Sequence, residues 1–394
     1  MTNATTTIPH STVDLFSEEV MADPYAVFRD LREAGPVVYL EQFDVFAVPR
    51  YQQCREVLGN WESFSSADIA LNPQFSQYVG DGILRSDPPL HDQQRSVLSE
   101  RLAPRALRDL KPEVDRRAAE LVERIVAQGS FDAVTDLARR FPLELVADLI
   151  GLPAEGRETL LELMDANFNC FGPDNARTRE SGPKLGALAE YVMTKARPES
   201  LAKGSMGHAV YEAVEAGYVP AEAAPWLVMT YVTAGVDTTV HALGHTIWLF
   251  GTHPEQWAAL RQSPSLIPQA FREVLRCETP VQLFGRTART DWSVGDHVVP
   301  AGSRLAVLFG SANRDESKWP DADRFDIGRH NFDHLGFGYG LHGCAGQALA
   351  RLEGEAILEA LVGTVDKIDV GQPVRHYNNV LRGLASLPVT VTAG

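Results

Sequence analysis

Cys344 stands among four glycines, Gly338, Gly340, Gly343 and Gly346, in the run FGYGLHGCAG over residues 337–346, directly before the helical pattern AGQALARLEGEAILEAL. Glycines open backbone angles closed to other residues and let a flat, bulky group approach the main chain. A cysteine at the mouth of a helix meets free N–H groups and the positive end of the dipole, which favour the thiolate. A lone thiolate in such a loop suits axial ligation of haem iron, pushing electron density toward the metal to favour O–O cleavage. Two readings compete with this one: an inert small hydrophobe, and the GxGxxG dinucleotide fingerprint spelled by Gly338, Gly340 and Gly343. The fingerprint is weak here, because HNFDHLGF makes a poor buried strand and no clear βαβ unit with a ribose-binding acid follows it.

A second cluster lies in AEAAPWLVMTYVTAGVDTTVHALGHTIWLF, residues 221–250, apolar on nearly every side and so predicted to be one buried helix. Gly235, Asp237, Thr238 and Thr239 interrupt its middle. An interior glycine costs about 1 kcal/mol, and an internal threonine bonding back to a carbonyl bends the helix. A buried acid beside an alcohol suits proton delivery, or Asp237 is simply paired to a base. His241 and His245, one turn apart, have zinc-pair spacing but no third ligand, and are read as packed helix residues. His91 and Arg95 share a helix face after SDPP, and Glu273 and Arg276 are three apart in FREVLRCETP; each pair alone reads as a surface pair.

Those residues need elements to position them. The 394 residues show no linker, repeat or low-complexity tract, so one large domain over 1–394, mainly α with small β-sheets, is expected, with 1–16 a poorly ordered leading segment. A helix through AVFRDLREAG, a hairpin in VVYLEQFDVFAVPR and a terminal strand pair in YNNVLRGLASLPVTV frame amphipathic helices over residues 102–151. The irregular stretch 61–84 is a candidate functional loop. A net charge of −16 argues against nucleic acid and anionic membrane as partners. The beginning lacks a signal-peptide pattern and no run reaches spanning length, so a soluble, cytoplasmic chain is expected. Cys54, Cys170, Cys277 and Cys344 form no CxxC pair, which leaves no disulfide framework or zinc site indicated.

Phe337, Gly340, His342, Cys344 and Gly346 together spell FxxGxHxCxG, which resembles the haem-binding loop of cytochromes P450. AGVDTT (Ala234 to Thr239) resembles their oxygen-activation motif, and the ExxR of Glu273 and Arg276, with Arg329, their structural ion-pair network. The resemblance covers nearly the whole chain. It implies the cytochrome P450 fold and haem b, with Cys344 as the iron ligand and His91, Arg95, Arg286, His334, Phe337 and His342 as haem contacts. It also implies Asp237 and Thr238 as the proton relay, and O2 with electrons from NAD(P)H through a ferredoxin and/or ferredoxin reductase. The partner would dock beneath Cys344, near Arg101, Arg105 and Arg108. Phe168, Phe171, Ala234, Val281, Phe284 and Leu381 are the expected substrate pocket.

AGPVVYL, NCFGP, TAGVDTT, GSANRD and LRGLASLP look like the bacterial subfamily acting on para-substituted benzoates, which resemblance implies a clamp for the substrate carboxylate. This chain departs from that pattern: no Lys or Arg occurs between Arg55 and Arg85 or between Pro220 and Leu260. A buried carboxylate without a partner costs several kcal/mol. The expectation is therefore O-demethylation of a neutral methoxyphenol such as a 4-alkylguaiacol. A 4-methoxybenzoate held by Arg85 or Arg382 is the alternative, and peroxygenase or haem-binding roles are the other classes.

Overall fold

The computed structural model describes residues 7–72, 74 and 82–394. The chain is mainly helical with small sheets. Among the described residues no helix is long and apolar enough to cross a membrane. Leu90–Leu102, which carries His91 and Arg95, packs against the long helix Pro104–Gln128, and the latter against Gln347–Thr364, which follows the cysteine loop. Pro104 takes the first turn of its helix, where no N–H is needed, and Gly129 ends it.

The region expected as one helix over 221–250 is interrupted. A 3-10 turn, Ala221–Ala223, leads into Ala224–Gly235; the helix is interrupted at Val236, whose φ of −108° and ψ of −62° depart from the regular values, and Asp237–Thr252 resumes. Both halves bury most of their surface, which keeps them aligned through the centre despite the break.

The largest sheet has strand order His10–Ser11, Val38–Leu40, Val45–Val48, Arg304–Leu308, Leu283–Ala288 and Phe64–Ser65. Val38–Leu40 and Val45–Val48 form the expected hairpin, with Val38 opposite Ala47. Leu283 pairs with Leu308 and Arg286 with Leu305, which fixes the phase of the strand carrying Phe284 and Arg286. The terminal hairpin joins Val374–Tyr377 to Arg382–Ser386, and its turn is tied to the centre by a bridge between Leu381 and Val281.

The expectation of a poorly ordered stretch over 1–16 is corrected for residues 7–16: His10 pairs with Tyr39 in the sheet, and Leu15 and Phe16 are buried. The apolar side chains at 15 and 16 supply the burial that anchors this segment. Residues 1–6 lie outside the described residues, as does part of the irregular loop, at 73 and 75–81.

Candidate active site

The cysteine loop is folded by its own backbone. Leu335–Phe337 makes a 3-10 turn, Gly338 and Gly340 adopt φ of +67° and +69°, and the Cys344 N–H returns to the Phe337 carbonyl at 2.8 Å. Gly343, at φ −54°, and Gly346, at φ −86°, do not need glycine's freedom in φ, so only two of the four glycines are required on that ground. Burial pushes the Cys344 thiol above its ordinary range, while the N–H groups of Gly346 and Gln347 and the Arg95 guanidinium act in the opposite direction. A bound metal cation ionises such a thiol outright.

Cys344 faces a cavity of about 220 Å³ that opens to solvent. His91, Arg95, Arg286 and His342 line it as a group. The His91 and His342 rings meet edge-on at 4.6 Å, and the Nε2 atom of each has no hydrogen-bond partner. Burial pushes Arg286 down to about 10 and lowers Arg95 as well; burial, then Arg286, push His342 down to about 3. Among the described residues, neither Arg95 nor Arg286 forms an ion pair. The buried Arg286 and the part-buried Arg95 have no ion-pair partner among those residues, a cost that an anionic group joining them would relieve. Together with a thiol at the same cavity and Phe337 on its wall, the donor set fits a flat, dicarboxylate macrocycle with a metal at its centre.

The wall across the cavity comes from the interrupted helix. Ala234, Gly235, Thr238 and Thr239 line it at the break, and the Thr238 hydroxyl donates to the Ala234 carbonyl at 3.1 Å. Phe168, Val281 and Phe284 line the same space.

Four expected site residues do not line this cavity. Phe171 lies beyond the helix Leu160–Asn169 and packs edge-on against Phe284 at 5.6 Å, so it supports the wall from behind. Leu381 bridges to Val281 and lines a smaller cavity on the other side of the terminal hairpin's turn. His334 accepts the Gly336 N–H through Nδ1 at 3.0 Å; it shapes the loop. Asp237 is buried away from the cavity, with Oδ1 at 3.8 Å from His241 Nε2 and Oδ2 without a hydrogen-bond partner. Burial, then Asp165, push Asp237 up to about 7, while His376 and Arg139 pull it the other way.

Glu353, outside every motif in the sequence, lines the cavity fully buried with neither carboxylate oxygen hydrogen-bonded. Burial pushes it up to about 8. An acid inside the apolar stripe LEGEAIL was the available signal.

Residues 220–366 match the family model for cytochrome P450. Over 391 residues, 98% of this chain and 95% of the relative, the sequence is 38% identical to cytochrome P450 CYP199A2 of Rhodopseudomonas palustris. The chain belongs to the cytochrome P450 family. The linalool 8-monooxygenase of Pseudomonas putida is 30% identical over 96% of this P450 and 97% of its own length. The solved structure of cytochrome P450 CREJ in complex with (4-ethylphenyl) dihydrogen phosphate superposes with a TM-score of 0.87 at 26% identity, covering 94% of this chain and 98% of that one. As a cytochrome P450, the protein is a haem b monooxygenase. Of the residues lining the cavity, Cys344 could hold the iron, and His91, Arg95, Arg286 and His342 could hold the haem carboxylates.

Proposed function

We propose that this cytochrome P450 removes the methyl group of a small, neutral methoxyarene, a methoxyphenol such as a 4-alkylguaiacol. The observation carrying this reading is the apolar lining away from the haem-carboxylate donors: among the described residues, the cavity's cations are Arg95 and Arg286, both in that donor set. Residues 75–81 contain no Lys or Arg either. Arg382 is committed elsewhere, its Nε donating to Glu278 at 2.7 Å and its Nη1 to the Met21 carbonyl at 2.9 Å. The Arg85 Nε donates to the Ala67 carbonyl, and Arg85 does not line the cavity. A bound benzoate would lose its hydration without a matching charge. The complex of CREJ with (4-ethylphenyl) dihydrogen phosphate adds a 26% identical relative that binds a para-alkylphenyl group, there carrying a phosphate, which supports the ring and not the absence of charge.

Haem iron, when bound, supplies the activation of dioxygen. The protein's part is positioning, water exclusion and proton transfer. Phe168, Val281 and Phe284 hold the ring, and Ala234 leaves room at the helix break for the methoxy group. The Thr238 hydroxyl, on the cavity wall, is read as the group that delivers the proton there, with Asp237, buried behind that wall, as its source. The net reaction consumes the arene, O2, two electrons and two protons. It yields a hydroxymethyl ether and water; the ether carbon–oxygen bond then breaks to give a phenol and formaldehyde. A ferredoxin or ferredoxin reductase supplies the electrons and docks on the face beneath Cys344; Arg105 and Arg108, exposed at the start of the helix Pro104–Gln128, offer it positive charge.

The test is a matched titration of 4-methoxybenzoate and 4-alkylguaiacols into the ferric holoenzyme, read from the six- to five-coordinate haem spectrum, with formaldehyde measured per NADH. Tighter and fuller shifts with the guaiacols are expected. Preference for the benzoate overturns the neutral-substrate reading, and equal turnover with peroxide alone would make the enzyme a peroxygenase.

A further inference from the structure

Behind the interrupted helix, away from the main cavity, lies a group of ionisable side chains that the demethylation reading does not use. His376, on the strand Val374–Tyr377, bonds through Nε2 to Asp165 Oδ1 at 2.7 Å. Asn378 donates to the same carboxylate oxygen at 2.7 Å and to the Asp165 carbonyl at 2.9 Å, which fixes that acid on its helix. The His376 ring stacks on His241 at 5.0 Å and 24°. His241 in turn sets Nε2 at 3.8 Å from Asp237 Oδ1. Gly383 makes this stack possible, since a Cβ there would collide with the His241 ring.

His376 also lines the second cavity, about 30 Å³, with Gln282, Asn378 and Arg382 on its polar side and Phe16, Phe28 and Leu381 on its apolar side. Gln282 Oε1 has no hydrogen-bond partner in the protein. The polar groups on one side of it give water a place there, and His376 itself keeps about 20% of its side chain exposed. One end of the group therefore meets water, while the other is a buried acid whose Oδ2 has no hydrogen-bond partner.

We propose that His376, held by Asp165, is the positioning residue that recharges Asp237 with protons drawn from the second cavity. This rests on the reading of Asp237 and Thr238 as the relay and extends it outward to solvent. The step moves one proton and no electrons: an imidazolium N–H bond of His376 breaks, an O–H bond forms on Asp237, and a proton from water restores the ring.

The charged groups facing the pair come from every element packed against it. Asp165 lies on the helix Leu160–Asn169, Asp237 and His241 on Asp237–Thr252, and Arg139 ends the π-helical turn Ala133–Ala138. For His376, burial acts downward, but Asp165 and then Asp237 outweigh it and raise the ring above its ordinary value; Arg139 opposes them. Asp237 sits at about 7. Burial raises the Asp237 carboxyl, and Asp165 and Asp237 raise the His376 ring, so both groups are shifted toward holding a proton. His241, lowered by burial and by His376, stays neutral beside them.

The experiment has two arms, both on haem-loaded protein with an intact carbonyl spectrum. In the first, ring-nitrogen NMR of the ferrous carbonyl form follows His376 against pH. It should titrate above the ordinary imidazole range, and Asp237→Asn should lower that value by removing a nearby negative charge. A value unmoved by Asp237→Asn overturns the inference. In the second, product and hydrogen peroxide per NADH are measured in H2O and D2O for His376→Gln, Asp165→Asn, Asp237→Asn and His376→Gln/Asp237→Asn. The first two should slow the proton-dependent step on the order of tenfold, below the roughly 10²–10⁴-fold of a directly positioned acid, and the double variant should lose no more than Asp237→Asn alone. If His376→Gln and Asp165→Asn keep wild-type coupling and isotope effect while Asp237→Asn fails, the supply route is wrong and the relay stands. If Asp237→Asn itself keeps full coupling, the relay reading falls. Should His376→Gln not fold, Asp165→Asn, which leaves the ring in place, carries the same test.

Discussion

Glu273 and Arg276 face each other one helical turn apart with neither side chain in contact with solvent: Nη2 lies 2.8 Å from Oε1, and Nε 2.9 Å from Oε2. Arg329 Nε adds to Oε1 at 3.1 Å, and Asn331 Nδ2 to Oε2 at 3.2 Å. Arg276 also donates to the Asn313 carbonyl, while Asn313 Oδ1 accepts the Leu335 N–H at 2.6 Å. The ion pair is therefore two hydrogen bonds from the start of the cysteine loop. Removing one partner of a buried pair costs about 3–5 kcal/mol, because the other charge stays desolvated. Glu273→Gln is expected to destabilise by that amount in urea melts and to lower haem content on purification. Wild-type stability with full haem occupancy would show that the network does not support the loop.

Glu278 gives the fold a pH dependence of defined sign. Burial alone would raise it, but Arg382 at 2.7 Å, with His245 and Arg314, holds it at about 2, against an ordinary 4.5. A carboxylate depressed in the folded state stabilises fully above its unfolded value and loses that contribution as pH falls toward its folded one. Urea melts should therefore lose stability between about pH 5 and 2. Glu278→Gln, which strands Arg382 and Arg314, should be less stable at pH 7 and show a shallower slope over that interval. An unchanged slope would remove Glu278 from the acid response.

Gly340 is the loop position least able to carry a side chain. Its φ of +69° costs about 1–2 kcal/mol for an L-residue, and a Cβ would collide with the Leu58 carbonyl oxygen. Gly340→Ala should displace the turn before Cys344 and lower haem affinity. Gly343→Ala, at φ −54° with a Cβ 3.2 Å from the Gly340 carbonyl, should be milder. Equal haem-transfer rates to apomyoglobin for the two variants would contradict the backbone argument.

Sequence spacing located the site's chemistry better than its orientation. The cysteine loop, His91 with Arg95, and Glu273 with Arg276 and Arg329 are legible because each motif acts through local turns or one helix face. Asp237 is different: adjacent helical residues point about 100° apart, so an acid next to Thr238 does not share its wall. Its surroundings come instead from Asp165 and His376, distant in sequence, which no helical period encodes. His334 was misplaced because its nitrogen is used two residues away, at Gly336. Leu381 and Val281 are bridged across strands, yet Val281 lines the main cavity and Leu381 the smaller one; strand pairing conveyed their proximity but not which face each served.

Phe284 offers the sharpest test of how the pocket holds its substrate. Its ring is set edge-on against Phe171 at 5.6 Å and against Phe309 at 6.1 Å, so its position is fixed from two sides while it lines the cavity. Phe284→Leu removes aromatic bulk without adding polarity, opening room beside the bound ring. A methylene's worth of misfit in an apolar pocket is about 1–3 kcal/mol, or roughly 10-fold to 200-fold in discrimination between substrates. A 4-methylguaiacol should then sit loosely in the variant, with less formaldehyde and more hydrogen peroxide per NADH, whereas 4-propylguaiacol should regain coupling by filling the space. If both substrates lose coupling equally, Phe284 supports the fold without gauging the arene; if neither changes, the ring is held by Phe168 and Val281 alone.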